Sequence, residues 1–275
     1  MNILIVGGNG FLGRELVRQA STTGHAVTAT FTSRAGDIPQ VRWFPMDLRR
    51  SEEIARALRE TRPDVVINAA YRQADWATTA DGPTRLAMAA SQYGSRLVHV
   101  SSDAVFSGAD VHYDESADPD PITPYGAAKA AAETAIRLFA PAAVIARTSL
   151  IIGDGDSVHE ALVHDLATGQ RSGVLFTDAI RCPVHVTDLA GALLELSASD
   201  HAGVCHVAGS DALSRHELGL LIAARDGLDA ALLPAGRLAD TDTPGPLDVR
   251  LDSTRTQRLL HTTLRGAREF LRRAH

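Results

Sequence analysis

Short apolar runs alternate with amphipathic segments along the first half of the chain. The runs are rich in β-branched residues, and glycine or polar residues mark their ends, as is typical of buried strands. They lie at 2–6, 26–31, 41–45, 64–70, 96–102 and 143–147. Helical periodicity predicts helices between them at 11–22, 51–60, 82–93 and 125–139. Apolar strands that alternate with helices predict an α/β fold with a Rossmann-type, doubly wound parallel sheet.

The alternation becomes less regular after Leu150. The later elements are predicted helices at 185–199, 214–225 and 263–274, and a strand at 203–209. We therefore expect a Rossmann lobe of residues 1–150 plus about 185–209. A smaller C-terminal α/β lobe would contain about 151–184 plus 210–275. The polar segment from Phe106 to Pro124 is the longest predicted loop, and such loops in compact domains often carry function.

Composition excludes some classes of protein. The chain has 275 residues and a formal net charge of -6. Without a basic face it is not expected to bind nucleic acid. No apolar run approaches the ~18 residues of a membrane span, so we expect no membrane partner. Cys182 and Cys205 form no C-x-x-C pair, and a cytoplasmic protein without disulfides is expected.

Histidines at His159 and His164 lack a metal-binding spacing. They form H-E-x-x-x-H with Glu160 between them, whereas zinc proteases have H-E-x-x-H, with both histidines one helical turn apart. The extra residue turns the second histidine away, so we interpret this segment as a polar helix face and expect no metal.

The sequence VGGNGFLG connects the first predicted strand to the first helix. Gly7, Gly10 and Gly13 permit a tight turn and let the backbone approach a pyrophosphate closely. The following helix offers free N–H groups to phosphates. An ordinary glycine-rich turn is the alternative, but this strand–turn–helix context favours a dinucleotide. The predicted contacts are Gly7, Asn9, Gly10, Phe11, Leu12 and Gly13.

The residues after the second strand favour NADPH over NADH. An NAD site would place a carboxylate there for the ribose 2′-hydroxyl. The chain has Thr32, Ser33 and Arg34 instead, and a guanidinium with hydroxyls suits a 2′-phosphate. Asp47 and Leu48, at the end of the third strand, are expected near the adenine.

Lys129 is the only lysine among 275 residues. It lies four residues after Tyr125, on the same face of a helix that Thr123 is predicted to cap. A phenol has a pKa near ~10 and needs help to act at neutral pH. A neighbouring ammonium favours the phenolate, so we predict that Lys129 lowers the pKa of Tyr125.

These motifs resemble an extended short-chain dehydrogenase/reductase. The resemblance rests on the glycine turn, NAA at 68–70, VSSDAVF at 100–106 and Tyr125-x-x-x-Lys129. Within that superfamily the chain is most similar to the dTDP-4-dehydrorhamnose reductase family, whose pattern also includes strands like ARTSLIIG and a later TDLA. The resemblance covers nearly the whole chain.

The resemblance implies a catalytic set of Ser102, Tyr125 and Lys129. Ser102 would bond the substrate carbonyl, and Tyr125 would protonate its oxygen as hydride arrives. Lys129 would tune Tyr125 and hold the nicotinamide ribose, so that Tyr125 and Lys129 also belong to the cofactor site. Hydride addition to a ketone generates an alkoxide, which needs donors where its charge develops.

Further contacts follow from the same resemblance. Ala69 and Ala70 would line the cofactor, whereas Ser102, Asp103 and Arg181 would bind substrate. Arg181 resembles the arginine of sugar-nucleotide epimerases that contacts the diphosphate, and a surface arginine is the alternative. Thr79 departs from the pattern because these enzymes usually have asparagine there. A proton relay through that position is therefore not expected.

The predicted function is NADPH-dependent reduction of a keto group on a nucleotide-activated sugar. The small lobe would bind that substrate, and the family makes a homodimer an expectation. Three alternatives stay open. They are a sugar-nucleotide epimerase with bound NAD, a reductase of another small carbonyl or imine, and a non-catalytic NADPH-binding regulatory subunit.

Overall fold

The computed structural model describes residues 1–272. Its longer strands are those predicted from the apolar runs, and short two-residue strands connect the later segments. The strands are β1 (Asn2–Val6), β2 (Ala26–Phe31), β3 (Arg42–Pro45), β4 (Val65–Asn68), β5 (Arg96–Ser102), β6 (His112–Tyr113), β7 (Val144–Thr148), β8 (Ile151–Ile152), β9 (Leu175–Phe176), β10 (Ile180–Arg181), β11 (Val184–His185), β12 (Gly203–His206), β13 (Leu213–Ser214), β14 (Ala235–Gly236) and β15 (Arg250–Leu251).

The helices follow the predicted periodicity closely in the first half of the chain. A π-helical segment, Ala77–Asp81, precedes the third helix without a break, and a 3₁₀ turn, Asp103–Val105, follows β5. The α-helices are α1 (Phe11–Thr22), α2 (Ser51–Thr61), α3 (Gly82–Tyr93), α4 (Pro124–Phe139), α5 (Val158–Ala167), α6 (Val186–Ala198), α7 (Arg215–Asp226), α8 (Thr254–Gln257) and α9 (Ala267–Phe270).

The central sheet has the order β12-β7-β5-β4-β1-β2-β3. Every neighbouring pair in it is parallel. One core packs α1 and α6 on one face, and a second packs α2, α3 and α4 on the other. This arrangement confirms the predicted Rossmann-type, doubly wound α/β fold. It also places the carboxyl ends of β1, β4 and β5 side by side.

The later segments return to this sheet and to the long loop. β6, inside the predicted loop 106–124, pairs with β15 near the end of the chain. A separate apolar cluster joins α5, α7 and β9. No helix within residues 1–272 has the length and apolar character that crossing a membrane requires.

The prediction of a C-terminal helix at 263–274 is wrong over residues 263–266 and 271–272. The observed helix is Ala267–Phe270, and residues 273 and 274 lie outside the described range. The backbone N–H of Thr262 donates to Glu195 at 2.8 Å, and that of Leu264 to the Gln257 side chain at 2.8 Å. Because these side chains take backbone donors, the segment stays extended until Gly266 despite its helical periodicity.

Candidate active site

The glycine turn adopts a conformation that larger residues resist. Gly7 has a φ of 84°, in the region that favours glycine. A Cβ at Gly13 would overlap the carbonyl oxygen of Gly7, so α1 approaches the turn only because that side chain is absent. Gly10 is the N-cap and supplies no side-chain cap. The first turn of α1 therefore presents free N–H groups, which suit a phosphate.

A cavity of about 230 Å³ opens where β1, β2 and β4 end. It is the expected place for a ligand in an open α/β sheet. The predicted cofactor residues that line it are Gly7, Asn9, Gly10, Thr32, Asp47, Leu48, Ala69 and Ala70. Eight further lining residues were not predicted from the sequence, and they are Val6, Thr30, Phe31, Met46, Arg49, Tyr71, Arg72 and Thr78.

The other predicted cofactor residues lie outside the lining of this cavity. Leu12 is 6% exposed and belongs to the apolar core. Phe11 lies against Gly153 of the segment after β8. Ser33 and Arg34 are exposed just beyond the cavity. The remaining residues of this group are Gly13, Tyr125 and Lys129.

Two arginines differ in how they are held at this end of the sheet. Arg49 pairs with Asp47, with Nη2 2.6 Å from Oδ2, and this bonding lowers the pKa of Asp47. The backbone carbonyl of Arg34 accepts from Asn9 Nδ2 at 2.5 Å. Within residues 1–272 no carboxylate pairs with the Arg34 guanidinium. Arg34 therefore retains its donors for a ligand.

The start of α4 places Tyr125 next to the end of β5. Thr123 caps the helix, as predicted, and accepts from the Gly126 N–H at 3.1 Å. A Cβ at Gly126 would overlap the Ala104 carbonyl. The glycine thus lets α4 touch the turn that follows Ser102. This close packing brings the Tyr125 and Ser102 side chains together.

The prediction that Lys129 lowers the pKa of Tyr125 is wrong for this arrangement. Burial raises the pKa of Tyr125 above its ordinary value, and Tyr71 and Asp103 act in the same direction. Ser102 partly offsets the rise. Lys129, whose Nζ lies 6.0 Å from the Tyr125 ring centroid, does not reverse this rise.

Lys129 lies inside the protein, with 3% of its surface exposed. Its Nζ donates to the Val100 carbonyl at 2.9 Å and lies 5.5 Å from the Tyr71 ring centroid. Burial lowers the pKa of Lys129 to about 8. One of three ammonium donors is bonded to the protein, so two remain for a ligand.

The Tyr71 ring lies beside Tyr125 and Lys129 and also lines the cavity. Its ring centroid is 5.9 Å from that of Tyr125. Thr79 holds the adjoining backbone, because its hydroxyl donates to the Arg72 carbonyl at 2.7 Å and accepts from the Arg72 N–H at 3.1 Å. The Thr79 hydroxyl thus ties the loop that contains Tyr71 and Arg72 to the helical segment. Its proton is donated to the Arg72 carbonyl and is not directed at the Tyr71 or Tyr125 side chain.

The substrate residues predicted at the other side of Ser102 form a polar junction. Asp103 accepts from Ser149 Oγ at 2.7 Å and lies 3.6 Å from Arg181 Nε. Arg181 is 7% exposed, and its Nη atoms donate to the carbonyls of Ile180, Pro246 and Leu247. It is therefore a buried arginine that fixes the segment before β15.

A second arginine joins this junction and was missed from the sequence. Burial and the charge of Arg181 lower the pKa of Arg215 to about 10. Arg215 Nη1 lies 3.2 Å from His159 Nδ1, and burial lowers the pKa of that histidine to about 4. His159 is thus neutral at pH 7. Within residues 1–272, no group of three His, Cys, Asp or Glu side chains is arranged to hold a metal.

The parallel sheet, the glycine turn and the Tyr-x-x-x-Lys helix are features of an extended short-chain dehydrogenase/reductase. Comparison with known families agrees. The model described as RmlD substrate binding domain matches residues 1–274. The chain belongs to this family.

Named relatives include enzymes and a subunit. The chain is 31% identical to a dTDP-4-dehydrorhamnose reductase of Mycolicibacterium smegmatis, over 99% of this chain and 84% of that protein. It is 27% identical to methionine adenosyltransferase 2 subunit beta of Bos taurus, over 94% of this chain and 82% of that protein.

Solved structures share the fold over almost the full length. A hypothetical dTDP-4-dehydrorhamnose reductase from Sulfolobus tokodaii has a TM-score of 0.82 at 28% identity, covering 97% of both chains. A dTDP-4-dehydrorhamnose reductase from Bacillus anthracis in complex with NADP has a TM-score of 0.83 at 22% identity, covering 98% of this chain and 96% of that one.

Proposed function

We propose that the protein is an NADPH-dependent reductase of a keto group on a nucleotide-activated sugar, with Tyr125 as general acid. The observation that carries the proposal is the contact of Ser102 with Tyr125 beside the buried Lys129. Tyr71, which lies against Tyr125, also lines the cavity that contains the glycine turn. Family membership and the Mycolicibacterium smegmatis reductase support the same activity.

The residues of the cavity fit a dinucleotide. The missing side chains at Gly7 and Gly13 leave room for backbone N–H groups to approach a pyrophosphate. Arg34, with Thr32 and Ser33, would bind the 2′-phosphate, and Asp47 with Leu48 would flank the adenine. The bound nicotinamide supplies hydride. The NADP complex of the Bacillus anthracis relative supports this choice of cofactor.

Tyr125 and Ser102 would act on the substrate oxygen. Because the pKa of Tyr125 is raised, its phenol stays protonated at neutral pH and can donate a proton. Ser102 donates a second hydrogen bond, which stabilises the developing alkoxide. The two remaining donors of Lys129 would bind ribose hydroxyls, so that its charge comes to lie near Tyr125 when the site is filled.

The polar junction beside Ser102 would bind the nucleotide end of the substrate. Arg181 and Arg215 carry two positive charges there, whereas Asp103 is the carboxylate that lies near Arg181. The surplus positive charge suits a diphosphate. Within this proposal, residues 1–150 with about 185–209 bind cofactor, and about 151–184 with 210–275 bind substrate, in a cytoplasmic homodimer.

The test is NADPH oxidation with a panel of keto-sugar nucleotides. The proposal predicts absorbance loss at about 340 nm with at least one 4-keto sugar and slower or no loss with NADH. The matched control is the same sugar as a 4-hydroxy compound, which offers no carbonyl. If NADPH binds tightly and no member of the panel is reduced, the reductase proposal is wrong.

A regulatory subunit is the second candidate, because the chain is also similar to methionine adenosyltransferase 2 subunit beta. In that case NADPH would bind without turnover, and the panel distinguishes the two functions. A sugar-nucleotide epimerase would instead retain NAD through purification. Acid release of the cofactor, followed by chromatography, identifies that outcome.

A further inference from the structure

A buried ion pair lies beneath the helix that carries Tyr125 and Lys129. Glu133 of α4 is 1% exposed, and Arg147 of β7 is 0% exposed. Arg147 Nε donates to Oε1 of Glu133 at 3.1 Å and to Oε2 at 3.2 Å. Its Nη2 donates to Oε2 at 2.8 Å. The proposed reaction uses neither residue directly.

The Glu133 carboxylate connects α4 to the strand that ends in Ser102. Ser101 Oγ donates to Glu133 Oε1 at 2.5 Å. Ser101 and Arg147 face each other across β5 and β7. Arg147 Nη1 also donates to the Ala117 carbonyl in the long loop, at 3.0 Å. One carboxylate thus joins the catalytic helix to two strands.

A gain in folding stability does not by itself explain why Glu133 and Arg147 are buried together. Moving two charges out of water is costly, and well-packed apolar residues of similar volume often serve as well. The neighbourhood offers a better reason. Tyr125, Lys129 and Glu133 are spaced by four residues, so all three lie along one face of α4.

The charged and titratable groups around Lys129 come from several elements. Tyr125 and Glu133 approach from α4, Tyr71 from the segment after β4, and His99 from β5. His99 is neutral, because burial holds its pKa well below the usual value. The Glu133 carboxylate raises the pKa of Lys129 and so opposes the effect of burial.

We infer that Glu133 is a positioning residue that keeps Lys129 protonated and holds α4 over the end of β5. Arg147 and Ser101 fix the carboxylate about one helical turn from Lys129 along α4. The consequence for catalysis rests on the proposed function. The consequence for the charge of Lys129 does not, and it is measurable by itself.

The single lysine makes this measurement direct. Protein grown with ¹³C,¹⁵N-lysine gives one side-chain signal, whose chemical shift reports the ionisation of Lys129 during a pH titration. The wild-type pKa is expected at about 8. In Glu133→Gln the carboxylate charge is removed, and the pKa should fall by about one pH unit or more.

The matched control removes a different partner of the same carboxylate. Arg137 is on the exposed side of α4, and its Nη2 lies 3.5 Å from Glu133 Oε2. Arg137→Gln keeps the Glu133 charge, and solvent screens the charge of the exposed Arg137 guanidinium. The pKa of Lys129 should therefore stay within about 0.3 pH units of the wild-type value.

Glu133→Gln leaves the Arg147 charge buried and unpaired, and this variant could therefore fail to fold. A second variant is designed for that case. Glu133→Gln combined with Arg147→Met removes both charges, and the pKa of Lys129 should again fall. Circular dichroism shows which of these variants is folded. If the pKa of Lys129 in a folded variant equals that of the wild type, the inference is wrong.

The functional consequence has its own measurement. NADPH affinity of the wild type, followed by cofactor fluorescence, should weaken as the pH rises above about 8, and the weakening should begin at lower pH in Glu133→Gln. A wild type that binds no NADPH would contradict the proposed function. The lysine titration would still decide the role of Glu133.

Discussion

The two halves of the cleft are built in opposite ways. The open half is the cofactor cavity, whose lining includes Gly7, Gly10, Ala69 and Ala70, with the exposed Arg34 near its rim. The buried half contains Lys129 and the Glu133–Arg147 pair, all nearly inaccessible to solvent. The glycines of the first half leave backbone accessible to a ligand. The second half holds charges in place by burying them.

This difference determines what each half tolerates. In the open half, a change of side chain should alter affinity for one part of the ligand and leave the fold intact. In the buried half, one change shifts both the fold and the ionisation of its neighbours, because a buried charge depends on its partners.

The largest effect is expected for Tyr125→Phe. The substitution removes the proton donor and little volume, so the rate of hydride transfer in a single turnover should fall by about 10²–10⁴-fold. NADPH affinity should change little. Stopped-flow absorbance measures the first quantity, and fluorescence titration measures the second. Unchanged single-turnover kinetics would refute the assignment of Tyr125.

Gly126→Ala should destabilise the buried half by about 3 kcal/mol, because its Cβ would overlap the Ala104 carbonyl and push α4 from the Ser102 turn. Urea unfolding measures the free energy. Gly245→Ala is the control, since its Cβ would meet only the Leu238 side chain, at 3.3 Å. Equal losses for both variants would show that α4 does not need this close approach.

Lys129 should make stability depend on pH. Its pKa is about 8 when folded and about 10.4 when unfolded. Between these values the unfolded chain holds a proton that the folded chain has lost, so the folded state gains stability as the pH rises. From pH ~7.5 to ~9.5, wild type should gain about 2 kcal/mol relative to Lys129→Met. Urea unfolding at each pH measures the free energy of unfolding of both proteins. If this free energy changes with pH by the same amount in wild type and in Lys129→Met, the prediction is wrong.

Arg34→Ala should have the smallest effect and act only on the cofactor. NADPH affinity should fall by about tenfold through the loss of a charge-assisted phosphate contact, whereas NADH affinity should not change. Arg49→Ala is the matched control, because Arg49 is already paired with Asp47. Equal weakening of NADPH and NADH would place the 2′-phosphate elsewhere.

The sequence was sufficient for features that depend on neighbouring residues. The strands, the glycine turn and the Thr123 cap follow from local patterns, and the structure has them where they were predicted. The family resemblance also followed from short motifs and is confirmed. Ser102, Tyr125 and Lys129 come together as the family resemblance implies, although their catalytic roles stay predictions.

Features that depend on distant residues were missed or mistaken. The pKa of Tyr125 depends on burial by elements far away in the chain, and spacing from Lys129 gave the wrong direction. Arg215 was overlooked because nothing near it in the sequence relates it to Arg181. Gly126 offered a local signal, since a glycine in the first turn of a helix usually has a packing reason.

Transfer of deuterium from labelled NADPH to a keto sugar is the decisive test of the proposed reductase activity. Wild-type protein is incubated with NADPH deuterated at C4 of the nicotinamide, on the transferred face, and a 4-keto nucleotide sugar. The account predicts a 4-hydroxy product with one deuterium on the former carbonyl carbon, detected by mass spectrometry. The test is repeated with both C4 epimers of the labelled cofactor and with every sugar in the panel. If the enzyme is saturated with NADPH and every keto sugar is recovered unchanged, the proposed reductase activity is wrong.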